Sequence, residues 1–251
     1  MVGQTAAKLV KNGMIVGLGT GSTVRFLVDA LGKRAQEEGL AITGVTTSNR
    51  TTAQATSLGI KIVDLDDVDH VDLTIDGADE VDRDFYGIKG GGGALLWEKI
   101  VNDASTNNVW IVDQSKVVDR IGAFGVPVEV IPFGASKVFA KFEHQGYQPQ
   151  WRTDEAGQLY RTDENNYIID LKLGPLTDPL ALAEDLINTV GVVEHGLFLN
   201  RVNQVIVGSV MRPGLPPSPL PKPFISKGWL QWKKTLTTCY KAFPTPRKVR
   251  N

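Results

Sequence analysis

From residue 1 to about 121, short β-rich runs alternate with helical patterns: MIVGLG, TVRFLVDALGKRAQEE, ITGVTTS, RTTAQATSLG, VDLTID, ALLWEKIVNDA and NVWIVD. This alternation constrains the fold more than any other feature, because strands separated by helices pair in parallel and carry the helices on the sheet faces. The helix after the first strand repeats apolar residues at Val24, Leu27, Val28 and Leu31, a stripe that must turn inward, with Arg25, Asp29 and Lys33 on the polar side. After GVPVEV the order changes to strand (PVEVI), helix (ASKVFAKFEHQG), strand (QPQWRT), strand (YIIDLKL), helix (DPLALAEDLINTV) and strand (VVEHGLFLN). That is the βαββαβ order of a ferredoxin-like unit. The expected fold is α/β: a parallel Rossmann-like sheet domain from residues 1–121 and 201–210, the run QVIVGS returning to it, and a smaller α+β domain over 122–200.

Charge separates off the remainder. Residues 211–251 hold nine Lys or Arg, no Asp or Glu and eight of the thirteen prolines, so the tail is +9 and the rest of the chain, with 18 basic and 28 acidic residues, is −10. Such proline density opposes a helix or central strand, and the tail is expected to be disordered. Within it, WLQWKKTLTTCYKAF would place Trp229, Trp232, Leu236 and Tyr240 near one helical face, a weaker alternative that would suit a membrane or nucleic-acid surface. Neither partner is expected of the body. No apolar run approaches the roughly 18 residues of a membrane span, no signal peptide opens the chain, and Cys239 stands alone, all of which point to the cytoplasm and away from a structural zinc site.

The chemistry-bearing residues follow the strands. GLGTGST, Gly17 to Thr23, ends the first strand and opens a helix, so the amides and hydroxyls of Thr20, Gly21, Ser22 and Thr23 suit a phosphate; an ordinary turn with a Ser or Thr cap is the alternative. It lacks the third glycine of a dinucleotide fingerprint and the Gly-Lys pair of a Walker loop. TTSNR offers Ser48 at the same rim, or merely as a cap. Residues 64 to 84 contain ten acidic residues, most expected to be solvated loop charges. Asp76 and Asp79 differ, because they emerge from VDLTI with Gly77 and Ala78 between them, where carboxylates can exchange protons with hydroxyls or simply close the turn.

In IKGGGGALLWEKI, Lys89 beside Gly90, Gly91 and Gly92 provides an ammonium and exposed amides for a developing oxyanion. The helix is expected to begin near Gly93 or Ala94, with Glu98 in its second turn among apolar neighbours that would raise its pKa toward that of a useful base. Lys116, in DQSK after the next strand, adds a second rim cation or only starts a helix. The three histidines, His70, His144 and His195, read as loop or surface residues, and hydrolase-elbow and zincin motifs are missing.

Taken together and in order, GLGTGST, TSN, DGADE, KGGGGALLWEK and DQSK resemble the ribose-5-phosphate isomerase family of the A type, a likeness that continues through VPVEVIP, GLFLNR and QVIVG over roughly residues 3 to 209. The resemblance implies interconversion of ribose 5-phosphate and ribulose 5-phosphate without metal or organic cofactor. It implies Glu98 as the base between C1 and C2, with Asp76, Asp79 and Lys89 handling ring opening and hydroxyl protons. Lys89 and the glycine amides would stabilise the oxyanion, Thr20 to Thr23 with Lys116 would bind the phosphorylated sugar, and the assembly would be a homodimer or homotetramer. Against the family pattern the chain begins inside the first helix, which would weaken the grip on phosphate. Two alternatives stay open: a non-catalytic sugar-phosphate sensor, which would not need Glu98, and a coenzyme A transferase relative with a nucleophilic glutamate.

Overall fold

A computed structural model describes residues 2–208 in full and the backbone of 209, 210 and 235–241. Helix α1 (Val2–Ala7) leads into β1 (Ile15–Leu18), α2 (Ser22–Glu38), β2 (Thr43–Thr46), α3 (Asn49–Ser57), β3 (Lys61–Ile62) and β4 (Val71–Asp76). Two short strands, β5 (Glu80–Val81) and β6 (Gly87–Ile88), precede α4 (Leu95–Asp103) and β7 (Ser105–Asp113). Then come β8 (Val126–Val130), α5 (Ala135–His144), β9 (Pro149–Trp151), β10 (Tyr167–Leu171), α6 (Pro179–Ile187), β11 (Val192–His195), β12 (Leu197–Phe198), β13 (Gln204–Val210) and β14 (Thr235–Lys241).

Seven strands form the main sheet in the order β14-β13-β7-β4-β1-β2-β3, all paired in parallel. The stripe on α2 is buried as its spacing requires: Val24, Leu27, Val28 and Leu31 join α1, β1, β4 and β7 in one apolar cluster. Each such side chain contributes roughly 1.5–3 kcal/mol by leaving water. The second sheet has the order β11-β8-β10-β9 and is antiparallel, the ferredoxin-like arrangement, with its own cluster around Val128, Phe142, Ile169 and Leu186.

Four local features depart from expectation. VVEHGLFLN breaks at Gly196 into β11 and β12, and β12 joins β6 and β5 in a third, three-stranded sheet. Helix α4 begins at Leu95, because Gly93 takes φ +81° and closes a turn onto the Gly90 carbonyl, so Glu98 lies in the first turn. Most of the acidic stretch is solvated as expected, but Glu80 is not: buried, it accepts the amides of Gly122 and Phe124, while Asp82 accepts those of Asp84 and Tyr86 to shape the turn before β6. Finally, Thr235–Lys241, expected to be disordered or helical, forms β14 along β13; its threonines, cysteine and tyrosine favour a strand once a parallel edge is offered. The rest of the 211–251 reading lies outside the described residues.

Candidate active site

Parallel strands deliver all their carboxyl ends to one rim. On it β1 has β2 on one side and β4 on the other, so the connections leaving β1 and β4 diverge and open a cleft, where ligands bind in open α/β sheets. The cleft has a volume of about 280 Å³. It is lined by Thr20, Gly21, Ser22, Thr23, Gly77, Ala78, Asp79, Lys89, Gly90, Gly91, Gly92, Glu98 and Lys116, joined by Arg50 and Asp113.

At and behind its floor three ionisable groups meet. The Lys89 ammonium lies 2.9 Å from Asp76 Oδ2 and 3.3 Å from Glu98 Oε1, and donates to the Gly77 carbonyl at 2.6 Å. Lys89 is 3% exposed, Asp76 2% and Glu98 5%. Burial works to lower the lysine pKa, but the carboxylates of Asp76, Glu98 and Asp79 outweigh it and raise it, so the ammonium stays charged. Glu98 behaves oppositely: burial pushes its carboxyl up to about 8, opposed by Lys89 and assisted by Asp76 and Asp79. The shorter contact to Asp76, 2.9 Å against 3.3 Å to Glu98, keeps Lys89 the charged member of its pair with Glu98. Glu98 Oε2 is buried with no hydrogen-bond partner. An unpaired carboxylate oxygen beside a fixed cation suits proton transfer better than structural support.

The glycine run wraps this centre. Gly90 takes φ +101°, a conformation L side chains rarely adopt, and the Gly91 amide donates to Asp79 Oδ2 at 2.7 Å, so closely that a Cβ on Gly91 would stand 2.6 Å from that carboxylate. Across the cleft, α2 has Gly21 at its N-cap and no side-chain cap, which rules out the capping alternative and leaves the first amides open to an anion.

Two sequence candidates do not line the cleft. Ser48 caps α3, accepting the Thr51 amide at 3.3 Å, and receives a hydrogen bond from the Thr20 hydroxyl at 2.8 Å. It joins the β1 and β2 loops from beneath. Asp76 accepts the amides of Thr20 at 2.9 Å and Gly77 at 2.7 Å on Oδ1 and holds Lys89 with Oδ2, so it supports the cleft from behind. Both turn-closing and charge-pairing roles are therefore realised in one carboxylate. Conversely, Arg50, the second residue of α3, and Asp113, which ends β7, line the cleft although their motifs assign them no role there.

His195 departs from its surface reading. It is buried, and its Nδ1 accepts from the Leu197 amide at 3.2 Å and lies 3.3 Å from the Lys99 ammonium. Burial lowers its pKa to about 4, with Lys99 adding to the effect, so the ring is neutral. Among the described residues, no group of three or more His, Cys, Asp or Glu side chains is arranged to hold a metal ion, and no helix is long and apolar enough to cross a membrane.

The sequence profile of ribose 5-phosphate isomerase A (phosphoriboisomerase A) matches residues 43–211. Ribose-5-phosphate isomerase A of Bifidobacterium longum is 70% identical over 206 residues, covering 82% of this chain and 89% of the relative. That of Limosilactobacillus reuteri is 64% identical over 208 residues, covering 82% and 91%. Among solved structures, the Methanocaldococcus jannaschii ribose 5-phosphate isomerase A superposes with a TM-score of 0.78 at 39% identity, covering 82% of this chain and 92% of its own. A D-ribose-5-phosphate isomerase in complex with phospho-erythronic acid gives 0.79 at 34% identity, covering 82% and 91%. The chain belongs to the ribose 5-phosphate isomerase A family.

Proposed function

We propose that this chain interconverts D-ribose 5-phosphate and D-ribulose 5-phosphate through an enediolate, with Glu98 as the base that carries a proton between C2 and C1. The observation that carries this reading is the buried Glu98 carboxylate, one oxygen unpartnered, 3.3 Å from a lysine ammonium on the floor of the cleft. Removal of a proton next to a carbonyl transfers charge to the carbonyl oxygen, and Lys89 with the Gly92 amide offers that oxygen a cation and a donor. Asp76 keeps Lys89 charged and aimed. Asp79, which lines the cleft, is placed to exchange protons with the ring and chain hydroxyls as the sugar opens. The uncapped end of α2, with Ser22 and Thr23, receives the phosphate, and Lys116 and Arg50 add positive charge at the cleft.

The test is conversion of ribose 5-phosphate by the full chain and by Glu98→Gln, in the presence of a chelator. Turnover by the parent and its loss in the variant, together with loss of solvent-deuterium incorporation into the sugar, are expected. Metal dependence or persistent exchange would overturn the assignment, and a covalent coenzyme A adduct on Glu98 would favour a transferase.

A catalytic unit over residues 1–121 with 201–210 is supported by an apolar cluster drawn wholly from those residues, and a smaller unit over 122–200 by a second cluster that also takes in Ile88 and Ile121 across the boundary. Exposed Phe133 and Val190, 91% and 94% accessible, are in keeping with a homodimer or homotetramer, which sedimentation equilibrium would measure. A cytoplasmic location fits a sugar-phosphate enzyme with one cysteine.

A further inference from the structure

Among the described residues, those lining the cleft all lie from Thr20 to Lys116, yet the glycine loop is gripped from outside by residues of the second sheet's strands and loops. Arg152, just after β9, has a side chain only 13% exposed. Its guanidinium forks onto Asp170 of β10, Nε to Oδ2 at 3.0 Å and Nη2 to Oδ1 at 2.5 Å. The remaining nitrogen, Nη1, donates to the carbonyls of Gly90 at 2.6 Å and Gly91 at 3.3 Å. Tyr160 donates to the next carbonyl, Gly92, at 3.4 Å, and its hydroxyl stands 2.3 Å from where a Cβ on Gly93 would be.

These contacts matter because a trans peptide is planar, with its C=O and N–H pointing opposite ways. A carbonyl held outward turns the next amide inward. Holding Gly90 C=O sends the Gly91 amide to Asp79, as observed at 2.7 Å, and holding Gly91 C=O turns the Gly92 amide away from Arg152. Glycines have little conformational preference of their own, so four in a row would sample many peptide orientations unless clamped. Donors to a developing oxyanion are effective only when fixed in advance. Since Asp170 neutralises the guanidinium, its contribution is orientation more than charge.

We infer that Arg152, anchored by Asp170, is a positioning residue for the isomerisation: it fixes the peptide planes of Gly90–Gly92 so that the Gly92 amide meets the enediolate. The second sheet thereby governs the reactivity of a site whose reacting side chains all lie elsewhere. This inference rests on the reading of the glycine loop as an oxyanion cradle.

The test uses the full-length chain carrying Arg152→Gln, Arg152→Lys or Lys89→Met, with melting temperature recorded for each. Measured quantities are kcat, KM for ribose 5-phosphate, inhibition by phospho-erythronic acid, whose carboxylate imitates the enediolate, and inhibition by inorganic phosphate. Arg152→Gln is expected to lower kcat by about 10–100-fold, as small misplacements of catalytic groups do, with KM within about twofold. It should weaken the phospho-erythronate in parallel and leave phosphate inhibition unchanged. Arg152→Lys, which keeps the cation but cannot fork, should fall between. Parental kcat in a folded Arg152→Gln, or equal losses of phospho-erythronate and phosphate affinity, would overturn the inference. Should Arg152→Gln fail to fold, parental kcat in Arg152→Lys would overturn it, and reduced kcat with unchanged KM would support it. If Lys89→Met keeps parental turnover, the cradle reading itself fails; if Lys89→Met loses turnover and Arg152→Gln does not, only the role of Arg152 fails.

Discussion

Glu98 sits where two opposing demands on one carboxylate meet. It must be basic enough to take a proton from carbon, and close enough to a cation for the product charge to be stabilised as it forms. Burial answers the first by pushing its pKa up to about 8, and Lys89 at 3.3 Å answers the second. Only the deprotonated form is a base, so kcat/KM is expected to rise about tenfold per pH unit below about pH 8 and to level above it. A pH–rate profile checks this, and a flat profile through that range would remove Glu98 from the role. The shift also carries a sign for stability. The folded pKa lies above the ordinary glutamate value of about 4.5, so the folded state keeps a proton that the unfolded chain has released, and the Glu98 contribution declines as pH rises from about 4.5 to about 8. Glu98→Gln should flatten that part of the stability curve. For Lys89→Met, turnover should fall by roughly 10²–10³, the loss typical of one oxyanion donor, which steady-state kinetics on the folded variant would show.

At the scale of elements, α4 does two jobs with adjacent residues. Glu98 faces the cleft, whereas Lys99 ties the helix to β11, donating to Glu194 Oε1 at 2.8 Å and to the His195 carbonyl at 2.5 Å. The Phe198 ring lies 5.4 Å from the Lys89 ammonium and 4.8 Å from that of Lys99. Lys99→Met strands a mostly buried carboxylate and carbonyl, and is expected to destabilise the fold by about 3 kcal/mol, measurable by urea denaturation. Helix α3 gives a contrasting case. Because Ser48 caps it and does not line the cleft, Ser48→Ala should cost about 1 kcal/mol of stability with KM for ribose 5-phosphate nearly unchanged; a large rise in KM would return Ser48 to the binding site.

Across the whole molecule, the main sheet reaches its last edge through β14, which lies beyond the 43–211 span matched by the family profile. Every residue of the candidate site among those described lies before residue 117, so a chain ending at Val210 should keep its turnover. It would, however, uncover the β13 edge, seven residues of which pair with β14, and an unpaired edge invites association with other chains. Light scattering of the shortened chain should show concentration-dependent association beyond whatever oligomer the full chain forms.

Much of this protein was legible from local pattern. Alternating strands and helices determine a parallel sheet, the Val24–Leu31 stripe determines which side of α2 is buried, and five ordered motifs mark the rim residues, because each depends on neighbours within one or two turns of chain. Other features come from groups far apart in sequence, which no local pattern specifies. That Asp76 stands behind Lys89 follows from the Thr20 amide 56 residues away, and that His195 is buried follows from Lys99 on another element. Arg152 reaches Gly90 across 62 residues, and an arginine at the end of a short strand carries no local mark of that contact. The glycine run is visible in the sequence as a loop able to approach a ligand closely, but its amide directions are decided by an arginine, a tyrosine and an aspartate brought to it by the fold, since glycine has no side chain with which to choose its own conformation.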